Sequence, residues 1–292
     1  MTLRLKSDFR QVMIPLVFFL VLTVPALSWA DPSENRFDAL QNRLIADGFD
    51  ARIISRLYQS DQMDFDVKGI SLFFRHQEGT LNYDQFLSEK NIERARNYLN
   101  AHESAFQEAE RGFGVDRQVI AAIILVETKL GQYLGDRAVL NTLSTMAALG
   151  DTAMREYFWS RLSEDRRLSR KDFEDKADRK SDWAYKELKA FLTYAGREKM
   201  DPLAATGSYA GAVGICQFMP SNILAYGQDG NGDGRIDLFD HADAIASIAR
   251  YLKNYGWHPG IQKEAAYKVV WAYNRSSYYV NTVLKVADLL KG

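Results

Sequence analysis

Apolar positions in this chain recur at three- and four-residue intervals far more often than at two. Phe37, Leu40, Leu44 and Ile45 fall on one helical stripe that Gly48 can stop. Asp50 can cap a second helix carrying Ile53, Ile54, Leu57 and Tyr58. Ser88 can cap a long third one with Ile92, Ala95, Leu99, Ala105, Phe106 and Ala109 on one face, ended by Gly112 and Gly114. Asp116 can open another helix. Asp240 or His241 can open one that runs through Ile245, Ile248, Ala249 and Leu252 to Gly256, and Ser276 or Ser277 starts the last, with Val280, Val283, Leu284, Ala287 and Leu290. Strand-type alternation is rare, and Asp64 to Phe74 is its best weak candidate. The pattern predicts a mainly α fold.

One run breaks the amphipathic rule. Val119 to Val126 is apolar on every face, as in a helix buried at the middle of a domain. Glu127 follows it directly. Desolvation disfavours a charged carboxyl there, and the C-terminal end of a helix is the wrong end for an anion. Both effects raise its pKa toward that of a general acid. A structural Glu paired with an Arg or Lys is the plainer alternative.

Composition narrows the classes. A chain of 292 residues, 47% hydrophobic and 26% charged, is neither disordered, collagen-like nor a multi-pass membrane protein. A net charge of −1 carries no basic bias toward nucleic acid, so no nucleic-acid partner is expected. A single cysteine, Cys216, excludes an intrachain disulfide and a Cys-cluster metal site. The densely charged stretch from Glu164 to Asp182 mixes both signs and reads as a solvated helix face or loop. At the start, Arg4, Lys6 and Arg10 precede the apolar run Val12 to Leu27 and then Ser28-Trp29-Ala30. That is the plan of a signal peptide cleaved after Ala30, its apolar run too short to span a bilayer. Asp31 rather than Cys follows, so the expectation is an exported periplasmic protein that is not a lipoprotein. The domain reading is a signal peptide over 1–30 and one region over 31–292. That region has a helical N-terminal part to 110, a core over 111–275 and a C-terminal helix over 276–292.

Two further segments carry chemistry. Gly207 to Ser221 holds three glycines, with Ser208 and Gln217 as polar groups and Phe218 as a flat apolar face. It is either a ligand-approach loop or a tight structural turn, and it lacks the Lys-Ser/Thr end of a phosphate loop. Asp229 to Asp240 fits the EF-hand calcium template. Asp229, Asn231, Asp233 and Asp237 supply side-chain oxygens, Gly234 stands at the sharp turn and Arg235 would ligate through its carbonyl. Asp240 stands where a longer Glu is usual, and Asp243 lies one helical turn further on. A long switch helix before this loop is not evident, because Gly227 stands two residues ahead of Asp229, so the loop reads as a structural clamp rather than a sensor.

Taken together, these stretches resemble the membrane-bound lytic transglycosylase B family, whose members cleave peptidoglycan glycan strands. The likeness is carried by Gly114 to Gly131 with Glu127-Thr128, by Gly207 to Ser221, by Asp229 to Asp243 with Gly256-Trp257, and by Tyr273-Asn274. The resemblance implies a lysozyme-like helical fold with a calcium-bearing loop over 229–243 and no organic cofactor. It implies Glu127 as the single acid and base. It implies Ser208 and Gln217 at the sugar sites, Tyr273 and Asn274 orienting substrate and acid, and both Asp240 and Asp243 as calcium ligands. The expected reaction converts the bond between N-acetylmuramic acid and N-acetylglucosamine into a 1,6-anhydro end, with peptidoglycan as partner and a monomer as the working state. A lysozyme-type hydrolase and a non-catalytic, calcium-stabilised glycan binder are the alternatives.

Overall fold

The computed structural model describes residues 36–75, 82–163 and 169–292. The expected signal peptide and residues 164–168 of the charged stretch lie outside the described residues. Thirteen α-helices, one short 3-10 helix (Tyr83–Leu87) and one two-stranded ladder make up the regular structure of the described residues. Two short helices, α1 (Asp38–Ala46) and α2 (Ala51–Tyr58), come first. Gly48 at φ +97° ends the first, and the Asp50 carboxylate accepts the amides of Arg52 and Ile53 at the start of the second. No helix among the described residues is long and apolar enough to cross a membrane.

The weak strand candidate is instead a helix, α3 (Val67–Arg75). Asp66 accepts the amide of Gly69, and Phe65, Ile70 and Phe74 are buried. The four-residue step from Ile70 to Phe74 is a helical repeat, and it overrides the apparent alternation. The long helix expected after Ser88 is broken in two, α4 (Glu89–Ala101) and α5 (Glu103–Phe113). His102 between them leaves helical geometry at φ −116°, ψ 28°. Its ring packs 4.4 Å from that of His241, which also accepts or donates a 2.7 Å bond with the Tyr98 hydroxyl. The break lets α5 turn onto α11 (His241–Asn254) while α4 stays on α6 (Arg117–Thr128).

Helix α6 is the axis of the core. Val119 through Leu125 are buried without exception, and α4, α5, α11 and α13 (Ser277–Lys291) surround it. A second pair, α7 (Val139–Ala148) and the 29-residue α9 (Arg170–Glu198), packs together, with α8 (Thr152–Arg161) between them in the chain. The charged stretch within α9 is a solvated face, with Phe173, Ala177 and Ser181 turned inward at four-residue spacing. Two further helices, α10 (Pro220–Tyr226) and α12 (Lys263–Tyr273), complete the set. Asp240 caps α11 by accepting the amides of Ala242 and Asp243, and Ser276 caps α13 by accepting that of Tyr279.

The ladder pairs β1 (Arg137–Ala138) antiparallel with β2 (Thr206–Gly207) and leads into the glycine-rich segment. There the glycines admit the protein's own backbone. A Cβ on Gly207 would lie 2.1 Å from the Ala212 carbonyl oxygen, and one on Gly214, at φ +73°, 2.4 Å from that of Leu238. Gly214→Ala is therefore expected to lower stability by at least about 1 kcal/mol, because both its backbone conformation and its surroundings reject a side chain. Thermal unfolding should show a midpoint lowered by a few degrees; an unchanged midpoint would mean that the backbone at Leu238 yields.

Candidate active site

Glu127 stands in the last turn of α6, half-buried, where the buried core helix reaches the surface. The chain then leaves the helix through two non-glycine residues of positive φ, Lys129 at 52° and Leu130 at 67°. Their amides close the helix end onto the carbonyls of Leu125 and Ile124. Such conformations cost on the order of 1–3 kcal/mol each and persist where the surroundings over-determine them. Thr128 supplies the constraint. Its fully buried hydroxyl donates to the carbonyls of Ile124 (3.2 Å) and Ile215 (3.0 Å) and accepts the Gly131 amide (3.0 Å). One side chain thus fastens the end of α6 to the glycine-rich segment.

That segment folds as a tight hairpin. Val213 and Phe218 exchange backbone bonds of 2.9 and 3.2 Å around Gly214-Ile215-Cys216-Gln217. Gln217 sits at φ +49°, and its side-chain amide donates to the carbonyls of Leu134 (3.1 Å) and Gly214 (2.9 Å). Its amide hydrogens thus hold the loop, leaving the side-chain oxygen as an acceptor. Ser208 is likewise engaged: its hydroxyl oxygen accepts the amides of Ala210 (3.2 Å) and Ala212 (3.0 Å). Its own proton is available to a ligand. Cys216 is fully buried, and burial pushes its thiol well above the usual cysteine range. This removes it as a reactive group beside Gln217.

Two phenols complete the geometry. Tyr273, at the end of α12, donates a 2.6 Å bond to the Cys216 carbonyl. Tyr279, in the first turn of α13, donates a 2.7 Å bond to Glu127 Oε1. Their rings lie parallel, 8° apart in plane, with centroids separated by 6.4 Å. Burial holds both phenols well above the ordinary tyrosine range, and nearby Glu127 adds to the effect. Both therefore stay protonated and donating. Asn274 follows Tyr273 as the residue ending α12 and is half-buried. The structure thus joins Glu127, Gln217 and Tyr273 through the hairpin. It adds Thr128 and Tyr279, which the sequence reading did not select. Thr128 carried a signal, as a lone hydroxyl at the end of an apolar helix. Tyr279 carried only its place three residues after a cap.

The acidic loop lies beyond the same hairpin, tied to it by the Ile215 amide donating to the Leu238 carbonyl at 2.8 Å. Asp229 accepts the amides of Gly232, Asp233 and Gly234, Asn231 that of Asp233, and Asp233 that of Arg235. Asp243 is fully buried beneath the loop, accepting the amides of Gly230 (2.8 Å), Asn231 (3.3 Å) and Asp237 (2.7 Å). Burial pushes its carboxyl above the usual range, opposed by those three amides. Asp240, the formal twelfth residue, caps α11 through one carboxylate oxygen. The Arg235 guanidinium reaches away to the Glu198 carbonyl at 2.7 Å. Among the described residues no three His, Cys, Asp or Glu side chains stand together as a metal cluster. The loop carboxylates are turned onto its own amides, while their chemistry, all hard oxygen donors, fits calcium.

Comparison with known proteins identifies the family and the fold. The chain is 34% identical over 178 residues to membrane-bound lytic murein transglycosylase B of Escherichia coli. That stretch is 61% of this chain and 42% of the relative's length. The fold matches the Escherichia coli lytic transglycosylase SLT35 in complex with calcium, with a TM-score of 0.65 and 23% identity over 88% of this chain and 92% of that one. It also matches SltB3 of Pseudomonas aeruginosa in complex with NAG-NAM-pentapeptide, with a TM-score of 0.69 and 22% identity over 89% and 79%. The model of the transglycosylase SLT domain matches residues 32–266, which is most of the chain. The protein belongs to the transglycosylase SLT domain family.

Proposed function

We propose that the protein is a peptidoglycan lytic transglycosylase that acts on peptide-bearing glycan strands, with Glu127 as both acid and base. One observation carries the reading: a carboxyl at the mouth of a buried helix, held by the Tyr279 phenol beside a rigid hairpin. Glu127 protonates the glycosidic oxygen between N-acetylmuramic acid and N-acetylglucosamine. The neighbouring acetamido group can stabilise the positive centre that develops, as in substrate-assisted glycosidases. Glu127, now ionised, takes the proton of the C6 hydroxyl, whose oxygen attacks the anomeric carbon and closes the 1,6-anhydro ring. The attack is intramolecular, so proximity can lower the barrier by about 7–11 kcal/mol in favourable cases. Tyr279 donates to whichever form accepts its proton and so supports the ionised stage. Ser208, Gln217 and Asn274 line the sugar path, and Tyr273 fixes the hairpin carbonyl that faces it. The sequence of residues 1–30 supports a periplasmic location.

The acidic loop is proposed to hold a structural calcium ion. Asp229, Asn231, Asp233, the Arg235 carbonyl and Asp237 would be its ligands, with Asp243 closing the set and Asp240 serving as a helix cap. A fully buried carboxylate such as Asp243, without a cation partner among the described residues, is costly to hold. A divalent ion beside it would offset that cost.

Four outcomes test these readings. Digestion of purified peptidoglycan should release 1,6-anhydromuropeptides, seen by mass spectrometry. Glu127→Gln should lower the rate by about 10²–10⁴-fold while leaving the melting midpoint within a degree or two. Reducing-end products would make the enzyme a hydrolase, and unchanged activity in the variant would remove Glu127 from the chemistry. The rate should also show no loss from phenol ionisation near pH 10, the ordinary tyrosine value, because Tyr279 keeps its proton above it. An alkaline limb that disappears in Tyr279→Phe would contradict this. Calcium should raise the melting midpoint of wild type and of Asp240→Asn, and should leave that of Asp243→Asn unmoved. A midpoint insensitive to excess chelator would exclude the site.

A further inference from the structure

Helices α12 and α13 bring Tyr273 and Tyr279 to the candidate active site on one side and leave another side to solvent. Trp271 stands two residues before Tyr273, more than half a turn round α12, and so leaves the helix on the side away from the hairpin. Lys263, Tyr267 and Trp271 follow one another at four-residue steps along that side. The Tyr267 and Trp271 rings are nearly parallel, 18° apart in plane, with centroids 6.2 Å apart. Trp271 is exposed and Tyr267 half-buried. Helix α13 is joined to α12 by Asn274-Arg275-Ser276 and packs on it, with Tyr278, Asn281, Lys285 and Asp288 exposed at three- and four-residue steps. Between the two stripes runs a groove of about 410 Å³, with Tyr267 and Leu284 as its apolar part. Lys263, Leu284 and Asp288 also border a second hollow of about 280 Å³, so the groove continues past them.

The fold leaves the polar groups of this groove unused. Among the described residues Lys263, Glu264, Lys285 and Asp288 stand in no ion pair. Tyr267 and Trp271 thus offer parallel flat faces at successive positions, flanked by the Asn281 amide, carboxylates and ammonium groups. That combination matches a pyranose ring. One face of such a ring is apolar C–H, and its rim carries hydroxyls that need acceptors and donors in its plane. A stable protein partner would instead want a centre depleted of charge, and charges line this groove.

We propose that the α12–α13 groove is a second glycan site, outside the catalytic cleft, that holds a neighbouring strand of the peptidoglycan mesh. The Tyr267 and Trp271 rings take the C–H faces of successive sugars. Asn281 and the carboxylates accept their hydroxyl and amide hydrogens, and Lys263 and Lys285 face the lactyl carboxylate of muramic acid. The inference rests on the proposed function for the identity of the strand. A weak second contact on one mesh raises retention, because its partner is already at high local concentration.

The test uses Glu127→Gln protein, so that the strand stays uncut. It is titrated with a peptide-free tetrasaccharide of alternating N-acetylglucosamine and N-acetylmuramic acid, followed by nuclear magnetic resonance. The indole N–H signal of Trp271, identified by its loss in Trp271→Phe, should shift with a dissociation constant on the order of 1 mM. The side-chain amide signals of Gln217 report the cleft. A Trp271 signal that stays still while those of Gln217 move would overturn the inference and keep the proposed function. Movement at Trp271 alone would keep the groove and remove the proposed function, and stillness at both would remove the two together. A free peptide that moves the Trp271 signal as far as the sugar does would also overturn the inference. Retention of the same protein on purified sacculi should weaken about tenfold in Trp271→Leu, a change of about 1.4 kcal/mol, and stay within about twofold in Trp271→Phe. A flat ring, not apolar bulk, is what the sugar needs, so equal retention by Trp271→Leu would count against the site. The substituted position is exposed, and a melting curve of each variant checks that the fold is intact.

Discussion

The hydroxyl of Thr128 is the joint on which the site depends. A buried hydroxyl left without partners costs on the order of 1–3 kcal/mol, so this one is held firmly to its three. Two of them, the Ile124 carbonyl and the Gly131 amide, belong to the end of α6 itself. The third, the Ile215 carbonyl, belongs to a hairpin 87 residues further along the chain. Glu127 is the neighbour of this joint, so its backbone inherits the rigidity of the whole core helix. The strained turn at Lys129 and Leu130 is the local cost of ending that helix there. The packing of α4, α5, α11 and α13 around it is what makes the cost bearable.

From this joint the order spreads outward through backbone rather than side chains. The hairpin's Cys216 carbonyl receives the Tyr273 hydroxyl, and its Ile215 amide reaches Leu238 at the far end of the acidic loop. Asp243 then ties the first residues of that loop to Asp237. A carboxyl, a hairpin and an acidic loop that are distant in sequence thus form one mechanical unit. Glycine is required at Gly207 and Gly214 for the same reason, since the carbonyl oxygens of Ala212 and Leu238 occupy the space of a side chain. Their permissiveness serves the contact between segments more than the approach of a ligand.

Much of this was legible in the sequence where local physics decides. Asp50, Asp240 and Ser276 act as caps because a short polar side chain before an apolar run has few better options. The all-apolar run before Glu127 could hardly be anything but a buried helix, and the structure places it at the centre. What local physics could not show is where elements are interrupted or joined. The helix after Ser88 breaks at His102 because a ring from α11 meets it there, a contact 139 residues away in the chain. Tyr279 reaches Glu127 across 152 residues, and nothing in its own neighbourhood announces that. Asp240 fits both the metal template and a helix cap by its place in the chain, and the cap is the contact it makes. The short strand at Arg137–Ala138 is defined only by its partner at Thr206–Gly207 and has no pattern of its own.

The sealed position of Cys216 has a further consequence. It is the chain's one thiol, it is wholly screened from solvent, and it sits at the tip of the hairpin that faces Glu127. A reagent can reach its sulfur only when that hairpin lifts from the core. Its rate of alkylation under native conditions is therefore a clock for local opening, set by the free energy of that excursion rather than by global unfolding. The protein carries its own reporter of how often the ordered ground around the carboxyl comes apart.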